Sequence, residues 1–177
     1  MLSLKQNYFQ LFSLPEIYEL NLATLNSVYR DLQGQVHPDR FANQNEQERL
    51  RAVQQASLLN QAFETLKSPL KRAAYLLELK GVNTHEVSQA DLNPALLLEQ
   101  IRLREALEDL PRDDSALEQL DAMRLEVSEQ LQQDESAFAV CFQQGDLQQA
   151  RQHYHGMQYL HKLLTEIQNV EEDLSGY

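Results

Sequence analysis

An all-α protein in two bodies is the fold class this chain predicts, and three observations carry that expectation. Leu, Gln, Glu and Ala, all good helix formers, are abundant, whereas 177 residues contain only five glycines and five prolines to interrupt helix. Apolar residues recur every three to four positions in one segment after another, and no segment alternates as a half-buried strand would. Charge is split unevenly. Residues 1–76 hold eight Lys/Arg against seven Asp/Glu, and residues 77–177 hold seven against twenty, so a net −12 is almost entirely the property of the second part. Such a contrast marks two bodies with different surfaces. It also speaks against nucleic acid as a partner, because an acidic half would repel phosphates and the other half is merely neutral.

The elements follow in order. "NYFQLFSLPEIYEL" is aromatic-rich and short, and predicts a brief helix stopped by Pro15. Asn21 is a plausible N-cap for a second helix carrying Leu22, Leu25, Tyr29, Leu32 and Val36 on one face, which Pro38 must end. After the polar loop "RFANQNEQE", a third helix is expected to present Leu50, Val53, Ser57, Asn60, Phe63 and Leu66 or Lys67 as its inner stripe. Ser68-Pro69 reads as N-cap and first helical residue of a fourth, closed by Gly81. "GVNTHEVSQADLN" has no period and reads as a connection. Asn93-Pro94 restarts helix as far as Leu110. Asp114 opens a long helix through Leu117, Leu120, Val127, Leu131, Phe138 and Phe142, closed by Gly145. Asp146 caps the last, with Leu147, Ala150, Tyr154, Met157, Leu164 and Ile167. The expected organisation is four helices over 1–77, a connection over 78–93, and an antiparallel three-helix bundle over 94–177.

No apolar run approaches the roughly 18 to 20 residues of a membrane span, and "MLSLKQNYFQ" lacks the features of a signal peptide. A single cysteine, Cys141, excludes an internal disulfide and fits a reducing compartment. The expected address is the cytoplasm, with no membrane partner.

The polar trio His37-Pro38-Asp39 sits at the bend between two helices that are each apolar on one side. Proline restrains the backbone there, which lowers the entropy lost if the loop docks on something. Asp39 suits an arginine on a partner, and His37 can donate and accept. On the tripeptide alone, a helix stop with solvated neighbours is the commoner explanation. The surroundings add "NYFQLF" (7–12), "YRDLQGQVHPDRF" (29–41) and "LNQAFETLKSPLKRAAYLL" (59–77), in an order and spacing that resemble a J-domain, the module that stimulates ATP hydrolysis by DnaK-type chaperones. The resemblance implies that His37, Pro38 and Asp39 dock on the chaperone's nucleotide-binding domain, with Arg30 and Arg40 assisting electrostatically. J-domains usually carry several basic residues before this loop, whereas here Arg30 adjoins Asp31. Weak steering of that kind points to a dedicated chaperone rather than a general one.

In the second half, the helix from Pro94 to Leu110 carries two apolar stripes when wound at about 100° per residue. Leu96, Leu103, Leu107 and Leu110 form one. Leu97, Leu98 and Ile101, flanked by Arg102 and Glu105, form another on roughly the opposite side. One stripe suffices for a bundle core; periodicity leaves open whether the surplus one is core as well. "LLLEQIRLREALEDL" (96–110), "QYLHKL" (158–163) and "LKRAAYLLELKG" (70–81) resemble the HscB-type co-chaperone of iron–sulfur cluster assembly. That resemblance implies an all-α fold, with an N-terminal J-domain joined to a C-terminal three-helix bundle that binds the cluster scaffold. The scaffold-binding residues it implies are Leu97, Leu98, Ile101, Glu105 and Tyr159. The implied partners are an HscA-like chaperone and an IscU-like scaffold protein, and the chain itself is no enzyme.

Other residues carry less. His153, His155 and His161 lack the four-residue spacing that favours chelation and are expected at the surface, so no metal or other cofactor is expected. Cys141, between Phe138 and Phe142, reads as a buried structural thiol. Asp113-Asp114 and Glu171-Glu172-Asp173 read as solvated ends. No glycine-rich loop cradles phosphate, so the chain should not hydrolyse ATP. Three functions stay open on the residues alone: an iron–sulfur co-chaperone, a J-protein with another client, and a helical adaptor whose loop is only a turn.

Overall fold

The computed structural model describes residues 6–37, 41, 44–85, 94–111 and 115–174, the side chains of Ala95 and Leu96 excepted. Among these residues there are seven α-helices: α1 (Tyr8–Leu11), α2 (Leu22–Val36), α3 (Glu46–Lys67), α4 (Pro69–Leu79), α5 (Pro94–Glu108), α6 (Ser115–Gln144) and α7 (Leu147–Leu174). None of them is long and apolar enough to cross a membrane. The chain divides into two compact units, Met1–Leu76 and Leu77–Tyr177, at the point where the charge balance changes sign.

In the first unit, α1 stops sooner than Pro15 would require. Phe12 caps it, and Ser13 turns the chain with a positive φ of 53°. Asn7 opens α1 through a capping box, accepting from the Gln10 N–H while the Gln10 side chain accepts from the Asn7 N–H. The α1 aromatics lean on α4: the Tyr8 and Tyr75 rings stack at 4.4 Å, and the Tyr8 N–H donates to the Tyr75 hydroxyl at 3.0 Å. Asn21 caps α2 by accepting from the Thr24 N–H, and Asn45 does the same for α3 through Glu48. α2 and α3 meet where Tyr29 stacks on Phe63 at 4.0 Å and its hydroxyl donates to Asn60 at 2.9 Å.

The inner stripe of α3 keeps the expected Phe63 and Leu66 but differs from the expected one elsewhere. Ala52, Leu59, Ala62, Phe63 and Leu66 are buried, while Leu50 and Val53 are exposed and so are Ser57 and Asn60. Both sets satisfy three-to-four spacing; the buried one uses alanines, whose small side chains let a neighbouring helix approach. Ser68 serves two helices at once. Its N–H closes α3 onto the Glu64 carbonyl, and its carbonyl accepts the first α4 bond from the Arg72 N–H at 2.9 Å. Arg72 is buried; its guanidinium donates to the Leu66 carbonyl at 2.7 Å and lies 5.0 Å from the centre of the Tyr18 ring.

In the second unit, Gly81 (φ 78°) and Gly145 (φ 80°) end α4 and α6 in the left-handed conformation. The chain folds back onto the last turn each time, with Val82 N–H on the Leu77 carbonyl and Asp146 N–H on the Cys141 carbonyl, both at 3.0 Å. Asp146 then caps α7 by accepting from the Gln149 N–H. Pairs between α6 and α7 run in opposite directions along the two helices, His153 with Asp134 and Glu171 with Arg124, so these helices are antiparallel. The core of the bundle is Leu103 from α5, Leu120, Met123 and Val127 from α6, and Leu160, Leu163 and Ile167 from α7, with Leu107, Leu110, Leu131, Tyr159 and Leu164 packed at its edges. Leu117 is exposed, contrary to expectation, and Ala116 takes the buried position beside it. As with Ala52 and Val53 in α3, a one-residue phase choice between an alanine and a larger aliphatic is settled by what faces the helix.

Candidate partner-docking surfaces

α2 ends because His37 leaves helical geometry, with φ −59° and ψ 127°. That extended value is what a following proline imposes. Val36 is buried and fixes the last turn, whereas His37 is exposed. Arg30, also exposed, lies seven residues or about two helical turns before it. Pro38, Asp39 and Arg40, the other expected members of this surface, lie outside the described residues.

α5 resolves the question of the two stripes. Leu103 is 1% exposed, whereas Leu97 is 48%, Leu98 68% and Ile101 46% exposed. Leu107 and Leu110 pack with Leu103 against the core, so the inner stripe needs nothing from the outer one. Three large aliphatics thus remain in water on one helix face, which soluble proteins seldom keep without use when such residues are contiguous. Glu105 is exposed one turn beyond Ile101 and forms the polar margin of the strip. Tyr159 reaches α5 from α7: its hydroxyl donates to the Gln100 carbonyl at 2.6 Å. Its ring is half-buried against the core, and burial pushes the phenol above its ordinary pKa.

A charged network that sequence reasoning did not assemble borders this strip. The Arg102 guanidinium donates through Nη2 at 2.6 Å and Nε at 3.0 Å to the two oxygens of Glu99, and through Nη2 to Glu126 on α6. Gln130 of α6 donates to Glu99 at 2.9 Å. The hydrogen bonds from Arg102 and then Gln130 lower the Glu99 carboxyl to about 2, and the bond to Glu99 raises the Arg102 guanidinium in turn. Glu99 and Arg102, three residues apart on one helix, were legible as a pair. Glu126 and Gln130 were not, since nothing in α6 by itself says which of its polar residues faces α5.

The histidines of α7 are half-buried rather than at the surface. His153 Nδ1–H donates to Asp134 at 2.8 Å, and His155 Nδ1–H to Gln158 at 2.9 Å. Among the described residues, no three His, Cys, Asp or Glu are arranged to hold a metal. Cys141 is a free, half-buried thiol rather than a fully buried one. Its neighbours along the helix, Phe138 and Phe142, stack with ring centres 5.8 Å apart. Glu171 is no bare solvated end, since Arg124 donates to it at 2.8 Å.

Comparison with known proteins agrees with this architecture over nearly the whole chain. Residues 92–168 match the model of the HSCB C-terminal oligomerisation domain. A co-chaperone protein HscB homolog of Vibrio vulnificus is 37% identical over 170 residues, spanning 96% of this chain and 99% of the relative. The solved chaperone HscB from Vibrio cholerae has a TM-score of 0.85 at 37% identity, covering 96% of this chain and 99% of that one. The human co-chaperone protein HscB shares the fold at a TM-score of 0.88 and 24% identity, over 96% and 84% of the two chains. With identity at that level from end to end, and an all-α fold of the same kind, the chain belongs to the HscB family of co-chaperones.

Proposed function

We propose that this protein stimulates the ATPase of a dedicated, HscA-like DnaK-type chaperone and delivers to it the IscU-like scaffold on which iron–sulfur clusters are built. In this reading residues 1–77 are the J-domain, 78–93 a connection, and 94–177 the scaffold-binding bundle, working in the cytoplasm. His37, Pro38 and Asp39 dock on the chaperone, with Arg30 and Arg40 supplying charge. Asp39 is the ion-pairing group, Pro38 sets the geometry, and His37 is the polar contact. No bond is made or broken on this chain. The binding energy of the loop favours the hydrolysis-competent state of the chaperone, which is a coupling between two distant sites.

Leu97, Leu98 and Ile101, with Glu105 at the margin and Tyr159 from α7, hold the scaffold. The observation that carries the reading is the water-exposed aliphatic strip on α5, opposite a stripe that already completes the core. Three aliphatics rimmed by charge have the make-up of a small hot spot. Holding cargo on one unit and chaperone on the other turns a three-body encounter into a tethered one, which raises local concentration.

The test is steady-state ATPase of the purified chaperone with this protein, with and without the scaffold. His37→Gln should abolish stimulation at unchanged circular dichroism. Leu97→Ala with Tyr159→Ala should weaken scaffold binding by more than about 2 kcal/mol while the bundle stays folded. Stimulation that survives the first change makes the loop a mere turn; affinity that survives the second makes this a J-protein for another client.

A further inference from the structure

The described side chains of α5 make rather little apolar contact with the rest of its bundle. Among its described residues Leu103 alone is fully buried, with Leu107 and Leu110 packed at the edge of the core. Leu103 and Leu107 lie past the middle of the helix and Leu110 just beyond its end, whereas the exposed strip starts nearer its beginning, at Leu97. At the level of the strip, the described attachments are polar. Arg102 reaches Glu126 on α6, Glu99 accepts from Gln130 on α6 at 2.9 Å, and the Gln100 carbonyl accepts from Tyr159 on α7 at 2.6 Å. The two α6 contacts cross-link, because Glu99 is also held bidentately by Arg102. Residues 99 and 102 pair with 130 and 126 in antiparallel register, and a helix held at two points one turn apart cannot easily roll about its axis.

We propose that the Glu99–Arg102–Glu126–Gln130 network is a clamp that fixes the rotation of α5, making Arg102 and Glu126 positioning residues for docking on the Leu97–Leu98–Ile101 strip. The inference rests on the scaffold-binding reading above for its consequence, though not for the clamp. A roll of one residue, about 100°, would turn Leu97, Leu98 and Ile101 together toward the flank of the bundle, so the strip would no longer face outward. Clamping keeps the strip presented before any partner arrives, so less entropy is lost on binding. Arg102 borders the strip and could instead touch the partner, and the test must separate these two roles.

Three full-length variants do so: Arg102→Glu, Glu126→Arg, and the two together, which exchange the charges across the α5–α6 contact. Two readouts are needed, amide hydrogen exchange over α5 with α7 as internal reference, and calorimetric affinity for the purified iron–sulfur scaffold protein. Each single reversal sets like charges against one another and should speed exchange in α5 by about fivefold or more, with a similar loss of affinity. The exchanged pair restores attraction across the α5–α6 contact but leaves Glu99 without its Arg102 donor, so it should recover at least half of the lost protection and affinity. Unaltered α5 exchange in the single variants overturns the clamp. Recovered exchange with affinity still lost overturns the positioning role and makes Arg102 a direct contact. Should the wild-type protein fail to bind the scaffold at all, the docking reading falls alone, and the exchange data still uphold or overturn the clamp. Glu126→Gln, which removes charge without repulsion, serves where a reversal prevents folding, and should speed α5 exchange in the same direction.

Discussion

Gly156 shows how a single missing methyl can set a contact. A Cβ built at that position would overlap the Asp134 carboxylate, whose Cγ lies 3.2 Å away, and Asp134 is held there by His153 at 2.8 Å. Alanine is better than glycine in a helix by about 0.8–1 kcal/mol, so two effects of opposite sign compete. Gly156→Ala should therefore give no net gain in the natural background, because Asp134 must rotate and leave His153. In an Asp134→Ala background the same change should stabilise by about 1 kcal/mol, and urea unfolding of the four proteins closes the cycle.

Glu99 makes a second prediction, this one in pH. Its folded pKa, about 2, lies below the ordinary value of 4.5, so its contribution is fully present above pH 4.5 and is lost as pH falls toward 2. The stability difference between the wild type and Glu99→Gln should be measurable at pH 7 and vanish near pH 2. The group is partly exposed, which keeps the difference modest, within about 1 kcal/mol.

At the scale of the element, α5 carries one stripe in the core and one in water, and the two should respond differently to the same chemistry. Leu103→Ala opens a cavity in the bundle core and should cost about 2–4 kcal/mol of stability. Leu98→Ala removes a side chain already in water and should change stability by less than about 0.5 kcal/mol while weakening scaffold binding. Chemical denaturation together with calorimetry reads both. The inner stripe was legible in the sequence because three-to-four spacing is a property of the helix alone. Whether the outer stripe was covered was not legible, since that depends on what α6 and α7 bring near it. The same limit explains α3, where Ala52 and Leu59 are buried while Leu50 and Val53 stand in water. Two phases of one periodic pattern were available over its first half, where Leu50 and Val53 misled, whereas Phe63 and Leu66 face inward as their size suggests.

For the whole molecule, two units with separate sets of internal contacts lie on one chain, and in the delivery proposed above the covalent link between them is essential. A mixture of full-length His37→Gln protein and full-length Leu97→Ala/Tyr159→Ala protein puts the two surfaces on different molecules. It should keep basal ATPase stimulation but lose the extra stimulation the scaffold brings, because the effective concentration set by the tether is gone. Equal scaffold enhancement from the mixture and the wild type would show that the halves act independently.

The sequence by itself determined the all-α class, the caps and glycine stops at Asn21, Ser68, Gly81, Gly145 and Asp146, and the family, because these follow from local backbone chemistry or from order along the chain. Only the tertiary structure decided that Leu97, Leu98 and Ile101 stay uncovered, that Tyr159 hydrogen-bonds the α5 backbone, and that Arg102 meets Glu126. Each of those depends on which face of one helix another helix occupies, and a helical period fixes relative angles within an element but never the direction of its neighbour.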